Sequence, residues 1–279
     1  MTAFSGELAE RVALVTGAGR GIGAAHAAAL AAAGATVAVS ATGVDLDGAN
    51  PDSSVAEQAA AAIRTAGGRA VADVSDVSDF LGAAAAVAHA VDEFGRLDIL
   101  VNNAGIIGTA HDLAALREAD LERTLAVHVV GTIGAIRAAL PIMAAQRYGR
   151  IINTISEAGL STKMAAGMAY AAAKSAVWGI TMAAAREGDE FGVTANVISP
   201  GALTRMSKPY LDEAGILEDL DLSPAQIARA AVALSREGSS HVTGRVTHTA
   251  AGFVREYVLA RVDDTELVTE LISVLGRPD

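Results

Sequence analysis

One stretch constrains this chain more than any other. Val12-Ala-Leu-Val-Thr16 is a short apolar run rich in β-branched residues, as expected of a strand covered on both faces. It passes into Gly17-Ala-Gly19-Arg20-Gly21-Ile22-Gly23, and then into an alanine-rich run that ends before Gly34. The run has the composition of a helix, and Gly34 supplies its stop. A strand that turns directly into a helix aims that helix's unpaired N–H groups and the positive end of its dipole at one point. Such a point suits a phosphate. Gly17 suits the tight turn, Gly21 leaves room for a pyrophosphate against the backbone, and Gly23 permits close packing of the helix.

The remainder repeats the strand–helix alternation. Strands are expected at 36–40, 69–73, 97–101, 150–155, 193–198 and 245–249, and helices at about 53–66, 77–94, 119–146, 168–190 and from 224 onward. Pro141 is expected to bend or end the long fourth helix. Ser223-Pro224 is expected to start a helix with a hydroxyl cap and proline at the first position. This alternation implies right-handed crossovers, giving an α/β fold with one doubly wound, seven-stranded parallel sheet in the order 3-2-1-4-5-6-7 and helices on both faces. One domain is expected over residues 1–252. Residues 202–222 are expected to be an irregular loop of that domain, and 253–279 a charged C-terminal extension of it, helical from Thr265 to Leu275.

Composition narrows the function. With 52% hydrophobic and 19% charged residues, the 279-residue chain can build a large core, and 4% aromatics makes that core aliphatic. A net charge of −11 disfavours nucleic acid and anionic membranes as partners. The absence of cysteine excludes disulfides and thiolate chemistry. No basic n-region or apolar core marks residues 1–10, and no uncharged apolar run of roughly 20 residues appears, so a cytoplasmic protein is expected. His26, His89, His111, His241 and His248 do not have metal-ligand spacing.

Tyr170-Ala-Ala-Ala-Lys174 places a phenol and an ammonium on one helix face. A nearby cation favours phenolate and brings a group of pKa about 10 toward acid–base work near neutrality. Ser156 lies fourteen residues upstream at the end of a strand, where a hydroxyl can bond a substrate oxygen as charge develops. Thr154 is the weaker candidate, one strand step back.

The Thr-Gly-x-x-x-Gly-x-Gly spacing, the Ser156/Tyr170/Lys174 set, Asn102-Asn103-Ala104-Gly105 and Asn196-Val-Ile-Ser-Pro200-Gly201 together resemble the short-chain dehydrogenase/reductase family, in its order, from about Arg11 to Gly252. The resemblance implies a Rossmann-type fold and an NAD(P)-dependent oxidoreductase of secondary alcohols or ketones. Tyr170 would be the acid/base, Lys174 would hold the ribose and lower the phenol pKa, and Ser156 would stabilise the substrate oxygen. It also implies a cofactor cradle of Gly17, Gly19, Arg20, Gly21, Ile22, Gly23, Ser40, Asn103, Ala104, Gly105, Pro200 and Gly201. Asp76-Val77 would lie beside the adenine, with Asp73-Val74 as the rival pair. Thr204 stands one residue earlier than the family's threonine after this glycine.

His128 occupies the position where most of the family has asparagine, and it is expected to hold a water in the proton path. A pKa near 6.5 would expose it to protonation in the working range. His128-Val-Val-Gly131, Tyr148-Gly-Arg-Ile-Ile152 and Gly244–Phe253 are most similar to the (3R)-hydroxyacyl-CoA dehydrogenase units of multifunctional β-oxidation enzymes, which implies a 3-hydroxyacyl-CoA or steroid-like substrate. That subset has Asn-Asp-Leu-Gly where this chain has Ser40-Ala-Thr-Gly43. The missing acid, with Arg20 nearby, leans the coenzyme toward NADP rather than NAD. Relatives assemble through the long helices, so a homotetramer is expected, then a dimer. The alternative is a non-catalytic nucleotide-binding regulatory or interaction protein on the same fold.

Overall fold

The computed structural model describes residues 6–108, 113–161, 164, 166–214 and 220–258. In chain order the regular elements are β1 (Val12–Thr16), α1 (Gly21–Ala32), β2 (Thr36–Ser40), α2 (Ser54–Thr65), β3 (Arg69–Asp73), α3 (Phe80–Phe94), β4 (Ile99–Asn102), α4 (Glu118–Leu125), α5 (Gly131–Gln146), β5 (Gly149–Thr154), α6 (Met168–Gly188), β6 (Val193–Gly201), α7 (Lys208–Ala214), α8 (Pro224–Leu234), β7 (Val246–Ala250) and β8 (Phe253–Tyr257). They form one sheet in the order β3-β2-β1-β4-β5-β6-β7-β8. The first seven strands are parallel in the expected order, and β1, β2 and β3 have the expected bounds.

The eighth strand corrects the seven-stranded expectation. Phe253–Tyr257 pairs antiparallel with β7, from Ala250↔Phe253 to Val246↔Tyr257. The two intervening residues, Ala251 and Gly252, both have positive φ, at 44° and 82°. That geometry suits a two-residue hairpin whose twist matches its strands. The start of the predicted extension is therefore part of the sheet, while its predicted helix, Thr265 to Leu275, lies outside the described residues.

The central strands are buried on both faces, as their unbroken apolar runs require. One apolar cluster joins β1 and β2 to α1 and α8, and a second joins β1 and β4 to α3 and α5. Alanine dominates the helix faces and lets them lie close to the sheet. The sheet is thus held rigid, with its strand ends free to carry a site.

Several boundaries moved for local reasons. α3 begins at Phe80 rather than Val77, because the Asp79 carboxylate caps it by accepting the Gly82 N–H at 2.7 Å. Pro224 does open α8, but Ser223 makes no side-chain cap; its N–H donates to Asp221 instead. The long fourth helix is not interrupted at Pro141, which sits within α5 on an exposed face. It is interrupted at Ala126–Val130, a single π-helical segment that turns His128 into the interior. By length and composition alone the Glu118–Gln146 run contains a window apolar enough to cross a membrane, although Arg137 interrupts it, so the expected absence of a long uncharged apolar run is not contradicted. In this fold it packs against α3 and α6.

Candidate active site

At the carboxyl ends of the strands lies a cavity of about 620 Å³. Its floor is the glycine turn. Gly17 has φ +64°, and a Cβ there would lie 2.7 Å from Ala104 Cα, so this close approach requires glycine. A Cβ on Gly23 would meet the Gly17 carbonyl oxygen at 2.3 Å and Asn103 Nδ2 at 2.5 Å, so Gly23 closes the turn on itself as much as it packs the helix. Gly19 is crowded by Val55, with 2.4 Å between its hypothetical Cβ and Val55 Cγ1. Gly21 differs. At φ +56° its Cβ position faces only Thr204, at 3.6 Å, so its backbone stands open to the cavity.

Asn103 fastens this turn to the loop after β4. Its Nδ2 donates to the Thr16 carbonyl at 3.1 Å and the Gly17 carbonyl at 3.3 Å, while Thr16 Oγ1 accepts from the Asn103 and Ala104 N–H groups. α1 carries no side-chain cap, so the N–H groups of its first turn point into the cavity uncapped by their own chain. An open Gly21, an uncapped helix start and a long cavity between the two ends of the site fit a dinucleotide, with its pyrophosphate at the glycine turn.

Of the residues expected in the site, Gly17, Gly19, Arg20, Gly21, Ile22, Gly23, Ser40, Asn103, Ala104, Gly105, Pro200 and Thr204 line this cavity. Asp76 and Val77 also line it, whereas the rival Asp73 does not; its carboxylate is turned to Ser75. Gly201 is the exception to expectation. It lies behind the wall, where a Cβ would meet Ala250 at 2.6 Å and His248 at 3.4 Å.

The far end of the cavity holds His128, Ser156, Tyr170 and Lys174 together. Ser156 lies two residues past β5 and caps a short 3₁₀ turn, its Oγ accepting the Ala158 N–H at 3.2 Å. Tyr170 and Lys174 occupy successive turns of α6, and the ammonium lies 5.6 Å from the phenol ring centre. Lys174 Nζ donates to the Thr154 carbonyl at 2.9 Å. Its burial disfavours the cation and pushes its pKa down to about 7.

His128 meets Tyr170 edge to face, with ring centres 5.4 Å apart. Its Nε2 lies 2.7 Å from the Ile106 carbonyl oxygen and 3.1 Å from the Ile106 backbone N–H; two lone pairs at 2.7 Å would repel, so the shorter contact favours the tautomer with its proton on Nε2. Nδ1 is then a buried acceptor, with no hydrogen-bond partner among the described residues. Burial, helped by the Lys174 charge, pushes this imidazole down to about 3. The expectation that it protonates near pH 6.5 is therefore corrected: His128 is neutral throughout the working range.

Two residues at this end escaped sequence reasoning. Met164 Sδ lies 3.8 Å from Ser156 Oγ, and Met206 Sδ lies 3.9 Å from the Tyr170 hydroxyl. Met206 follows Pro200-Gly201 by a few residues, but its position gave no sign that it faces the phenol.

Comparison with known proteins agrees with this geometry. The family model described as short chain dehydrogenase matches residues 11–214. A peroxisomal hydratase-dehydrogenase-epimerase of Saccharomyces cerevisiae is 36% identical over 245 residues, covering 88% of this chain and 26% of the yeast protein. The peroxisomal multifunctional enzyme type 2 of Drosophila melanogaster is 37% identical over 254 residues, covering 90% of this chain and 40% of the fly protein. This chain thus spans only a quarter to two fifths of those relatives. The hydroxyacyl-CoA dehydrogenase ChsB1 of Mycobacterium tuberculosis is 36% identical over 252 residues, with 86% of this chain and 77% of that protein covered. A crystal structure of a short chain dehydrogenase from Mycobacterium avium superposes with a TM-score of 0.80 at 37% identity, covering 98% of each chain. The chain belongs to the short-chain dehydrogenase family, whose members are NAD(P)-dependent oxidoreductases of CH–OH groups.

Proposed function

We propose that this chain interconverts a secondary alcohol and a ketone, with a 3-hydroxyacyl-CoA-like molecule as the substrate class. One observation carries the reading: the Ser156 and Tyr170 hydroxyls and the Lys174 ammonium converge at one end of a cavity whose other end is the glycine turn. The similarity to hydroxyacyl-CoA dehydrogenase ChsB1 supports the substrate class.

NAD(P), when bound, supplies or accepts the hydride. The chain's own residues do the rest. In reduction Tyr170 donates its phenolic proton to the substrate oxygen, and in oxidation the phenolate takes one. Ser156 donates a hydrogen bond to the same oxygen as negative charge grows on it. Lys174, held by the Thr154 carbonyl, stabilises the phenolate and offers an ammonium to the cofactor ribose. His128, neutral and with Nδ1 as acceptor, holds a water that passes protons between Lys174 and solvent. Met164 and Met206 flank the two hydroxyls and give the reacting carbon an apolar surround.

The same reading favours NADP over NAD. Ser40 ends β2 without a carboxylate, and the acids that follow are engaged elsewhere. Asp45 pairs with Arg205 and Asn50, and Asp47 caps the Ala49 N–H. Arg20 lines the cavity and lies against the Gly43 carbonyl, where it suits a 2′-phosphate. Assembly as a homotetramer through α4, α5 and α6 belongs to this proposal.

The test is absorbance at the reduced-nicotinamide band with a panel of acyl-CoA thioesters, steroids and small secondary alcohols. Turnover is expected, strongest with the thioesters. Tight cofactor binding without turnover on any of them would favour the non-catalytic alternative.

A further inference from the structure

The turn that carries Ser156 is anchored from two sides. Ser156 caps the turn Glu157–Gly159, so the direction of its hydroxyl and the shape of the turn are one unit. From α6, Ser175 Oγ donates to the Gly159 carbonyl at 2.7 Å. The second anchor comes from the C-terminal hairpin, 100 residues away: the Tyr257 hydroxyl donates to Glu157 Oε1. Burial first, and then the Glu157 carboxylate, push the Tyr257 phenol up to about 12, so it remains a donor at any working pH.

His248 on β7 completes the cluster. Its Nδ1 lies 3.7 Å from the same Glu157 oxygen and 3.4 Å from Ser199 Oγ. Phe253 packs against its ring at 5.8 Å between centres. The cluster therefore spans the turn after β5 and the end of β6, the two segments that carry Ser156 and Pro200. The hairpin does not need this bond to form, because five ladder pairs already join β8 to β7. It also lies beyond the span matched by the family model.

We infer that Tyr257 and Glu157 are positioning residues: the edge strand β8 clamps the turn that aims Ser156 at the substrate oxygen. The inference rests on the reading of Ser156 given above. Tyr257 does not line the cavity; its ring packs against the cluster of Ile155, Val177, Val197 and Val246, and its hydroxyl, which Tyr257→Phe removes, reaches the turn through Glu157. A hydroxyl displaced by a fraction of an ångström loses much of its hold on the transition state while leaving cofactor binding alone.

The experiment compares Tyr257→Phe, Glu157→Ala and Glu157→Gln with Glu256→Gln, a control on the same strand whose exposed partner is Arg245. Two readouts are taken: kcat with cofactor Kd, and amide hydrogen exchange across residues 156–160. Tyr257→Phe and Glu157→Ala are expected to lower kcat about tenfold, to leave cofactor Kd within about twofold, and to speed exchange in the turn. Glu157→Gln keeps an acceptor oxygen for the phenol and is expected to stay near wild type, as is Glu256→Gln. Unchanged exchange in Tyr257→Phe, faster exchange with unchanged kcat, or a loss in Glu157→Gln equal to that in Glu157→Ala would each overturn the inference. If the wild type turns over none of the panel substrates, it is the catalytic reading that fails, and exchange alone decides whether the clamp exists.

Discussion

Lys174 Nζ donates to the carbonyl oxygen of Thr154 at 2.9 Å, and this bond fixes the ammonium beside the Tyr170 ring deep in the site. Full burial brings the Lys174 pKa from 10.5 to about 7. The unfolded chain therefore binds a proton here that the folded chain releases between about pH 7 and pH 10.5. Stability from this group rises with pH across that window and is lowest at pH 7 and below. The difference in Tm between wild type and Lys174→Met should thus move in favour of the wild type as pH is raised from 7 to 10. Parallel Tm curves for the two proteins would contradict the assigned burial.

His128 should tolerate asparagine better than leucine. Asparagine keeps an acceptor, whereas leucine removes it while filling similar volume. His128→Asn is expected to retain activity within about tenfold, roughly 1.4 kcal/mol, and His128→Leu to lose more. Because burial holds the imidazole near pKa 3, its own titration contributes no step to the rate profile between pH 6 and 9. Equal, wild-type-like rates in both variants would show that His128 only packs against Tyr170.

The glycines of the turn should separate stability from binding. Gly23→Ala drives a Cβ to 2.3 Å from the Gly17 carbonyl and is expected to lower Tm markedly. Gly21→Ala meets no such clash, only the strain of φ +56°, about 1 kcal/mol. It should fold, yet lose cofactor affinity by about tenfold or more, because its methyl group would project where the proposed pyrophosphate site lies. Calorimetric titration and thermal melts check both. Wild-type affinity in Gly21→Ala would contradict the placement of the pyrophosphate.

Arg20 should set the coenzyme. Arg20→Ala is expected to lower kcat/KM for NADP about tenfold, the scale of one lost charge-assisted contact, and to leave NAD nearly unchanged. Steady-state kinetics with both coenzymes measure it. An equal loss with both, or a wild-type preference for NAD, would reverse the assignment.

Much of this was written in the sequence because its determinants are local. β1, β2 and β3 each follow from an apolar run bounded by a turn, and the glycine turn and Tyr170/Lys174 follow from fixed short spacings. What escaped was long-range or marginal. β8 is a mostly exposed edge strand with Arg255 and Glu256 inside it, so neither burial nor alternation marked it. Ala251-Gly252 was the readable hint. The break at His128 has no proline to announce it, while Pro141 sits where an exposed helix face absorbs it. The Met206–Tyr170 contact and the Tyr257–Glu157 bond join residues 36 and 100 positions apart, and no spacing rule reaches across such gaps; Met164 is only eight residues from Ser156, but no element of fixed period joins the two.

The central claim is that Tyr170 moves the proton to and from the substrate oxygen. Tyr170→Phe removes one oxygen and leaves the ring against His128. The measurement is single-turnover reduction followed at the nicotinamide band, with cofactor Kd determined on the same protein. The account predicts a fall of about 10²-fold or more in rate with Kd within a few-fold of wild type. A near-normal rate would contradict it.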